Sequence, residues 1–282
     1  MHQPGETIFA AVGDVHGHHY EMVRLLEERE SQIDSRIKFV LQVGDFEPHR
    51  YEADLESMAA PSKYRAVGDF PDFYSGEVAF PWPVYFIGGN HEPYGFLDTV
   101  TPSGQIAENC IYLGRAGRTE LGGLKIVGLS GIFNGDRFSD AHPRVEDLLI
   151  RKKKDYTYFN KDDVDRAVEF GRADILMVHE WPSDIVAEAD RGLFEQQRRS
   201  PRYDSIGNQY ARILIELLSP RLVLCGHMHK KYRNQIRLRS GEVVDVCCLS
   251  SVHQGADSVA LFRIEEGGAI SEIRAYDDLA NR

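Results

Sequence analysis

Five short apolar runs along this chain each stop at polar residues of the kind that bind metal ions. The runs cover residues 8–12, 39–43, 84–87, 175–178 and 222–225. Their length of four or five residues, with glycine directly after four of them, is typical of buried strands rather than helices. The pattern therefore predicts a sheet in which five strands end next to candidate ligands.

The polar residues that follow these runs form one candidate set: Asp14, His16, Asp45, Asn90, His179, His227 and His229. In a sheet of parallel type, ligands gather in the crevice at the carboxyl ends of the strands. We therefore expect the seven side chains to converge at one edge of one sheet. Asp14 and His16 are two residues apart, so in a continuing strand they share one face and can bind the same ion. The carboxylate of Asp45 can bridge two cations.

Oxygen and nitrogen ligands without a thiolate suit Mn, Fe or Zn better than Ca or Mg, and they are unlike a closed structural zinc site. We therefore expect two divalent metal ions as cofactors. A bimetal site of this kind is typical of enzymes that hydrolyse phosphate esters. Each short motif alone is more typical of a turn or a structural histidine, so the prediction depends on the whole set in this order.

Helices, a hairpin and a strand-rich tail account for the remaining pattern. The predicted helices cover residues 18–31, 52–60, 161–172 and a stretch that begins at Asn208 and is ended by Pro220. Glycines 122 and 123 predict a tight hairpin turn between strands 118–121 and 124–129. Beyond His229, strands at residues 236–238, 243–249, 259–264 and 269–274 alternate as in an antiparallel meander.

These elements together predict an α/β fold in which two mixed β-sheets are flanked by helices. The ligand motifs span most of the chain and must converge. We therefore expect a single domain over residues 1–282, with an antiparallel, strand-rich C-terminal part from about residue 230.

The amino-acid composition indicates in which compartment the protein works and which kinds of partner it binds. The chain has 282 residues, of which 42% are hydrophobic and 27% charged, and no apolar run approaches a membrane span. The N-terminus lacks a secretory pattern, and the four cysteines lack metal-binding spacing or a disulfide framework. We therefore expect a cytoplasmic protein, nuclear if eukaryotic, without a membrane partner. The net charge of −11 argues against a broadly basic nucleic-acid surface but permits a local basic path, such as residues 151–154.

The five ligand motifs resemble those of the calcineurin-like metallophosphoesterases. They are Gly13-Asp14-Val15-His16-Gly17, Gly44-Asp45, Gly89-Asn90-His91-Glu92, His179 and Gly226-His227-Met228-His229. The resemblance implies an αββα sandwich with a dinuclear metal centre in which Asp45 bridges the two ions. The other implied ligands are Asp14, His16 and His229 for one metal and Asn90, His179 and His227 for the other. His91 is implied to be the acid that protonates the leaving oxygen, after a hydroxide shared by the two metals attacks phosphorus.

Stretches between the motifs, from about residue 8 to residue 230, resemble the RNA lariat debranching enzymes. Among them are Phe73-Tyr74-Ser75-Gly76-Glu77, Ser130-Gly131-Ile132-Phe133 and His179-Glu180-Trp181-Pro182. The resemblance implies a phosphodiester substrate in RNA or a nucleotide, and in that family a 2′–5′ linkage of branched RNA. The family's recognition loop would correspond to residues 134–160, and Asp14 stands where these enzymes mostly carry Cys. We expect substrate contacts at Tyr64, Tyr74, Ser130, Gly131, Ile132, Phe133, Arg151 and Tyr156.

The sequence is also compatible with other functions. A Ser/Thr protein phosphatase shares the first and third motifs, but such enzymes usually follow the second with Asp-Arg-Gly, whereas Phe46-Glu47-Pro48 follows here. A hydrolase of dinucleoside polyphosphates or cyclic nucleotides, or a nuclease for DNA or linear RNA, would use the same chemistry. An inactive metal-binding scaffold would usually lack a ligand or the acid, and none is missing.

Overall fold

The computed structural model describes residues 7–62, 65–100, 102–148, 150–195 and 206–274. Within them the chain forms thirteen strands, which pair into two sheets. The strands are β1 (Thr7–Val12), β2 (Ile37–Gln42), β3 (Val84–Phe86), β4 (Gly104–Ala107), β5 (Cys110–Tyr112), β6 (Ala116–Leu121), β7 (Leu124–Leu129), β8 (Ile175–Val178), β9 (Leu222–Cys225), β10 (Tyr232–Arg237), β11 (Val243–Cys248), β12 (Val259–Ile264) and β13 (Ile270–Ile273).

The first sheet has the strand order β13-β12-β1-β2-β3-β5-β4, and the second has the order β10-β11-β9-β8-β7-β6. Both are mixed. Strands β1, β2, β3 and β5 run parallel in the first sheet, and β7, β8, β9 and β11 run parallel in the second. These two sheets and the helices outside them confirm the predicted α/β sandwich.

The expectation that all ligands lie at one edge of one sheet is wrong. The first three ligand loops follow β1, β2 and β3 of the first sheet, whereas the last two follow β8 and β9 of the second. The side chains still converge, because the carboxyl ends of both parallel sets meet at the same end of the sandwich. The apolar runs could not reveal this division, because a strand's length and burial do not show which sheet it joins.

The helices lie outside the two sheets and are α1 (His19–Ser31), α2 (Phe70–Tyr74), α3 (Tyr94–Leu97), α4 (Lys161–Glu169), α5 (Arg191–Glu195) and α6 (Gln209–Leu218). Helices α1, α4 and α6 confirm three of the four predicted helices with small changes at their ends. The side chains of Asn160 and Asn208 cap α4 and α6 by accepting hydrogen bonds from the backbone of their first turns.

The fourth expected helix, over residues 52–60, is wrong, because only a 3₁₀ segment, Glu52–Glu56, forms there. The carboxylate of Asp54 accepts hydrogen bonds from both the backbone and the guanidinium of Arg50, which closes a tight turn in place of a helix. Pro61 would also prevent any helix in this segment from continuing beyond residue 60.

Three apolar layers hold the sandwich together. In β1, Phe9 and Ala11 face the layer between the sheets, whereas Ala10 faces the layer that packs under α1. Strand β8 alternates in the same way between the middle layer and the layer under α4 and α6. Burial on both faces explains why these strands read as unbroken apolar runs.

The predicted meander at the C-terminal end is partly wrong. Strands β10 and β11 are antiparallel neighbours in the second sheet, but β12 and β13 form their antiparallel pair in the first. The 3₁₀ segment Val252–Ser258 connects the two pairs, so the tail contributes strands to both sheets. None of the helices in the described part of the chain is long and apolar enough to cross a bilayer.

Candidate metal centre

The ligand loops have a backbone that few residue types adopt readily. His16, Asp45, His227 and His229 all have φ between 50° and 67°, in the left-handed region. Such conformations cost about 1–3 kcal/mol each and persist where the surrounding structure determines them. The loops also touch closely: a Cβ added to Gly89 would lie 2.2 Å from Asp45 Oδ1, so only glycine fits beside that carboxylate.

Asp14, His16 and His229 form the first of two ligand clusters. His229 Nε2 lies 2.9 Å from Asp14 Oδ2 and 2.9 Å from His16 Nε2. Asp14 is fully buried and also accepts a hydrogen bond from the backbone N–H of His227, at 2.9 Å. The second cluster is therefore tied to the first through this carboxylate.

Asp45, His179 and His227 form the second cluster. His179 Nε2 lies 3.2 Å from His227 Nδ1 and 3.5 Å from Asp45 Oδ1. Asn90 Oδ1 lies 3.3 Å from the same nitrogen of His179, which adds an amide oxygen to this cluster. The structure thus brings together all seven side chains of the candidate set.

Asp45 lies between the two clusters. Its Oδ1 faces His179 at 3.5 Å, and its Oδ2 faces His16 Nε2 at 3.9 Å. His91 is the nearest further imidazole, since its backbone N–H donates to Asp45 Oδ1 at 2.8 Å and its Nε2 lies 4.0 Å from Oδ2. Its side chain is 24% exposed, so it can reach both the cluster and a substrate.

The separations within each cluster fit divalent cations. Ligand atoms about 2.0–2.2 Å from one ion lie roughly 3–3.5 Å from each other. The hydrogen bonds of the imidazole rings also suit metal binding. His179 Nδ1 must donate to the carbonyl oxygen of Val43, at 2.9 Å. His16 Nδ1 pairs with Glu47 at 2.8 Å. Each Nε2 is then left to present its lone pair to an ion.

Charges within the clusters act strongly on one another. Burial opposes ionisation of Asp45, but the imidazoles of His179, His91 and His16 hold its pKa well below the usual range. Burial lowers the pKa of His179, yet Asp45 more than offsets it and raises that pKa to about 10. Since the buried carboxylates attract protons onto these imidazoles, the same field would attract divalent cations.

Two buried acids that the sequence argument did not assign support the ligand loops. The Glu92 carboxylate accepts backbone hydrogen bonds from Phe46, Glu47 and Gly89, and burial raises its pKa to about 8. Glu47 orients His16 through the 2.8 Å contact, and burial raises the pKa of Glu47 to about 7. The position of Glu47 two residues after Asp45 was the only signal for it in the sequence.

Replacing Glu47 by alanine is expected to weaken metal binding about 10–100-fold, because His16 loses the partner that sets its tautomer and orientation. Metal affinity measured by competition with a chelator checks this. Glu47→Gln keeps a hydrogen-bonding oxygen at the same reach and should lose less. Equal affinity of the alanine variant and the native protein would show that His16 needs no orienting partner.

The residues expected to contact substrate differ in exposure and position. Tyr74 is 44% exposed and lies on α2, whereas Tyr64 lies outside the described residues. Arg151 is exposed in the loop 134–160. The expected contact of Tyr156 with substrate is wrong, because its ring is fully buried in the apolar core of the first sheet. Its hydroxyl donates to the carbonyl of Arg144, at 2.8 Å.

The stretch 130–133 supports the ligand loops. Ser130 is buried and accepts from the backbone N–H of Gly88, and the N–H of Gly131 donates to the carbonyl of Gly88. Ile132 pairs with the backbone of Thr157. The N–H of Phe133 donates to Glu180 Oε2, beside His179. These contacts link the third and fourth ligand loops, and direct contact of the stretch with substrate stays a prediction.

This architecture defines a class of protein, namely a two-sheet sandwich with a candidate dinuclear metal site at the strand ends. The family model described as calcineurin-like phosphoesterase matches residues 8–231. This chain belongs to the calcineurin-like phosphoesterase family. A solved structure superposes on 95% of this chain and 99% of its own with a TM-score of 0.53 at 10% identity, which supports the fold alone.

Curated relatives confirm the resemblance to RNA lariat debranching enzymes. The lariat debranching enzyme of Entamoeba histolytica is 33% identical over 234 residues, which cover 79% of this chain and 64% of that protein. The lariat debranching enzyme of Arabidopsis thaliana is 29% identical over 279 residues, which cover 95% of this chain and 66% of that protein. The chain thus spans slightly less than two thirds of the length of these relatives.

Proposed function

We propose that this protein hydrolyses a phosphodiester in a nucleic acid or nucleotide with the help of two divalent cations. The observation that carries the proposal is the position of Asp45, whose two carboxylate oxygens face the two histidine clusters. His91 lies against the same carboxylate without belonging to either cluster. A site that combines two cation clusters with a separate proton donor suits in-line displacement at phosphorus.

Each side chain then has a distinct task. The two cations, when bound, would supply charge stabilisation for the phosphate and activation of an attacking water. Asp45 would keep both in reach of one phosphate, and Glu47 would keep His16 aligned. His91 would donate a proton from its ring to the departing oxygen, since its ring is partly exposed and 4.0 Å from Asp45.

A nucleotide diester is the favoured substrate class because exposed aromatic rings lie beside a cationic side chain. Tyr51 and Tyr74 are 49% and 44% exposed, and the Arg50 guanidinium lies 4.7 Å and 5.6 Å from their ring centroids. Stacking on aromatic rings is a common way to bind bases, at about 1–3 kcal/mol per base. The two relatives described above, both lariat debranching enzymes, also support an RNA diester.

The loop 134–160 contains a cavity of about 510 Å³. Arg137, His142, Arg144 and Arg151 contribute cationic or hydrogen-bonding groups to its wall. Arg137 is paired with Asp140 and Asp155, and His142 with Asp163. Within the described residues, neither Arg144 nor Arg151 forms an ion pair, so these two guanidinium groups can bind phosphate oxygens.

Replacing Arg144 and Arg151 by alanine is expected to raise KM for an oligonucleotide about tenfold, since a charge-assisted hydrogen bond contributes roughly 1.5 kcal/mol or more. KM for bis-p-nitrophenyl phosphate should change little, because this small diester has no flanking nucleotide that could occupy the cavity. Arg166→Ala removes one guanidinium from the exposed face of α4 and serves as control for each of the two single substitutions. Parallel changes of KM for both substrates would contradict a role of the cavity in binding nucleic acid.

A substrate panel on the metal-loaded protein tests the proposed function. It contains branched 2′–5′ RNA, linear 3′–5′ RNA and DNA, a dinucleoside polyphosphate, bis-p-nitrophenyl phosphate, p-nitrophenyl phosphate and a phosphopeptide. We expect the diesters to be cleaved with higher kcat/KM than the monoesters, and branched or linear RNA to be the best nucleic-acid substrate. A preference for the phosphopeptide would instead indicate a protein phosphatase, and no hydrolysis of any member would indicate a scaffold.

A further inference from the structure

Two histidines outside the metal clusters form a pair beside them. The rings of His18 and His253 meet in a T-shaped contact with centroids 4.3 Å apart, and both residues are exposed. Within the described residues, neither ring has a hydrogen-bond partner for its nitrogens. The pair therefore presents free imidazole edges to solvent or to a bound molecule.

The segment that carries His253 is fixed onto the first ligand loop. The N–H of Val252 donates to the carbonyl of Asp14, and the N–H of Gly13 donates to the carbonyl of Ser258, both at 2.9 Å. A Cβ on Gly13 would lie 1.9 Å from the carbonyl oxygen of Ser250, so only glycine permits this packing. His253 is thereby held next to the first cluster. His18 lies two residues after His16, which belongs to that cluster.

The chemistry around the pair favours an anion over a third cation. The described residues offer two groups of ligand atoms close enough to hold a metal, and neither His18 nor His253 belongs to them. An imidazole carries at least one N–H in either protonation state, so both rings of the pair can donate a hydrogen bond to a phosphate oxygen.

We infer that His18 and His253 bind a phosphate of a polynucleotide next to the one that is cleaved. The inference rests on the proposed function, and it names a part of the substrate that the metal clusters do not reach. His253 lies beyond the residues matched by the family model, which end at residue 231. The pair would make this enzyme favour substrates with at least two successive phosphodiesters.

Three substrates of increasing length test the inference. They are bis-p-nitrophenyl phosphate, a dinucleotide with one phosphodiester and a trinucleotide with two. In His253→Ala and His253→Phe, KM for the trinucleotide is expected to rise about tenfold, the loss of one good hydrogen bond to a charged group. KM for the two shorter substrates should stay within about twofold, and the metal content should not change.

The phenylalanine variant separates hydrogen bonding from packing, because it keeps a ring against His18 but has no N–H. His253→Asn retains a donor and should recover part of the affinity. Binding of a fluorescent trinucleotide, measured by anisotropy in the His91→Ala background, gives a readout that does not depend on turnover. It should weaken by the same factor in the double variant.

Three results would overturn the inference: native binding by His253→Phe, equal losses on all three substrates, or equal affinity of the native protein for dinucleotide and trinucleotide. Failure of the native protein to cleave any diester would contradict the proposed function instead. The anisotropy measurement would still decide whether the pair binds a second phosphate.

Discussion

Replacing Asp45 by alanine is expected to remove the metals from both clusters at once. Its Oδ1 and Oδ2 face His179 and His16 at 3.5 Å and 3.9 Å, so each of its two oxygens can serve a different cluster. The loss of affinity should exceed the roughly 10–100-fold expected for an outer-shell partner such as Glu47. Elemental analysis after dialysis, compared with the native protein, measures the metal content per chain.

Two variants make this result specific. Asp45→Asn keeps one oxygen acceptor, so it should lose one metal more readily than the other. Asp54→Ala removes a different buried carboxylate, which pairs with Arg50 at 2.8 Å, and it should keep both metals. A full metal load in Asp45→Ala would refute the bridging role.

Local sequence was sufficient to locate the side chains that converge. Each of them lies within four residues of the end of a short apolar strand, and four of the five strands are followed within two residues by a glycine that permits close packing of the loops. Gly89 illustrates the reason, because a side chain there would collide with Asp45. The types of these residues and their order along the chain were therefore enough to predict where the site lies, while their role as metal ligands stays a prediction.

The division of the strands between two sheets could not be predicted in the same way. Parallel neighbours are joined by long crossovers, so a strand's partner is not fixed by residues near it in the chain. Strand β11 pairs with β9 rather than with β12, which follows it along the chain. Local alternation of apolar residues describes a strand's faces but not its neighbours.

Supporting residues were missed for a related reason. Glu92 belongs to a recognised motif, but its hydrogen bonds to the backbone of Phe46 and Glu47 join two loops that are distant in sequence. His18 and His253 come from opposite ends of the chain and meet only through the fold. Such roles depend on which loops pack together, and that information is in the tertiary structure.

His91→Ala is expected to keep both metals and to reduce turnover of a ribonucleotide diester by roughly 10²–10⁴-fold, the usual contribution of general acid catalysis. The residue belongs to neither ligand cluster, and its backbone N–H rather than its ring holds Asp45. The substitution therefore removes the proposed proton donor and leaves the backbone contact to the Asp45 carboxylate intact. Elemental analysis and kcat for an RNA dinucleotide measure the two effects separately.

The leaving group shows whether the missing function is proton donation. An alkoxide leaves poorly without a proton, whereas p-nitrophenolate is a weak base and needs none, so bis-p-nitrophenyl phosphate should lose much less activity in His91→Ala. His91→Gln can form hydrogen bonds but cannot transfer a proton, and it should match the alanine variant. If both substrates lost the same factor while the metals were retained, His91 would act by positioning the phosphate and not as the acid.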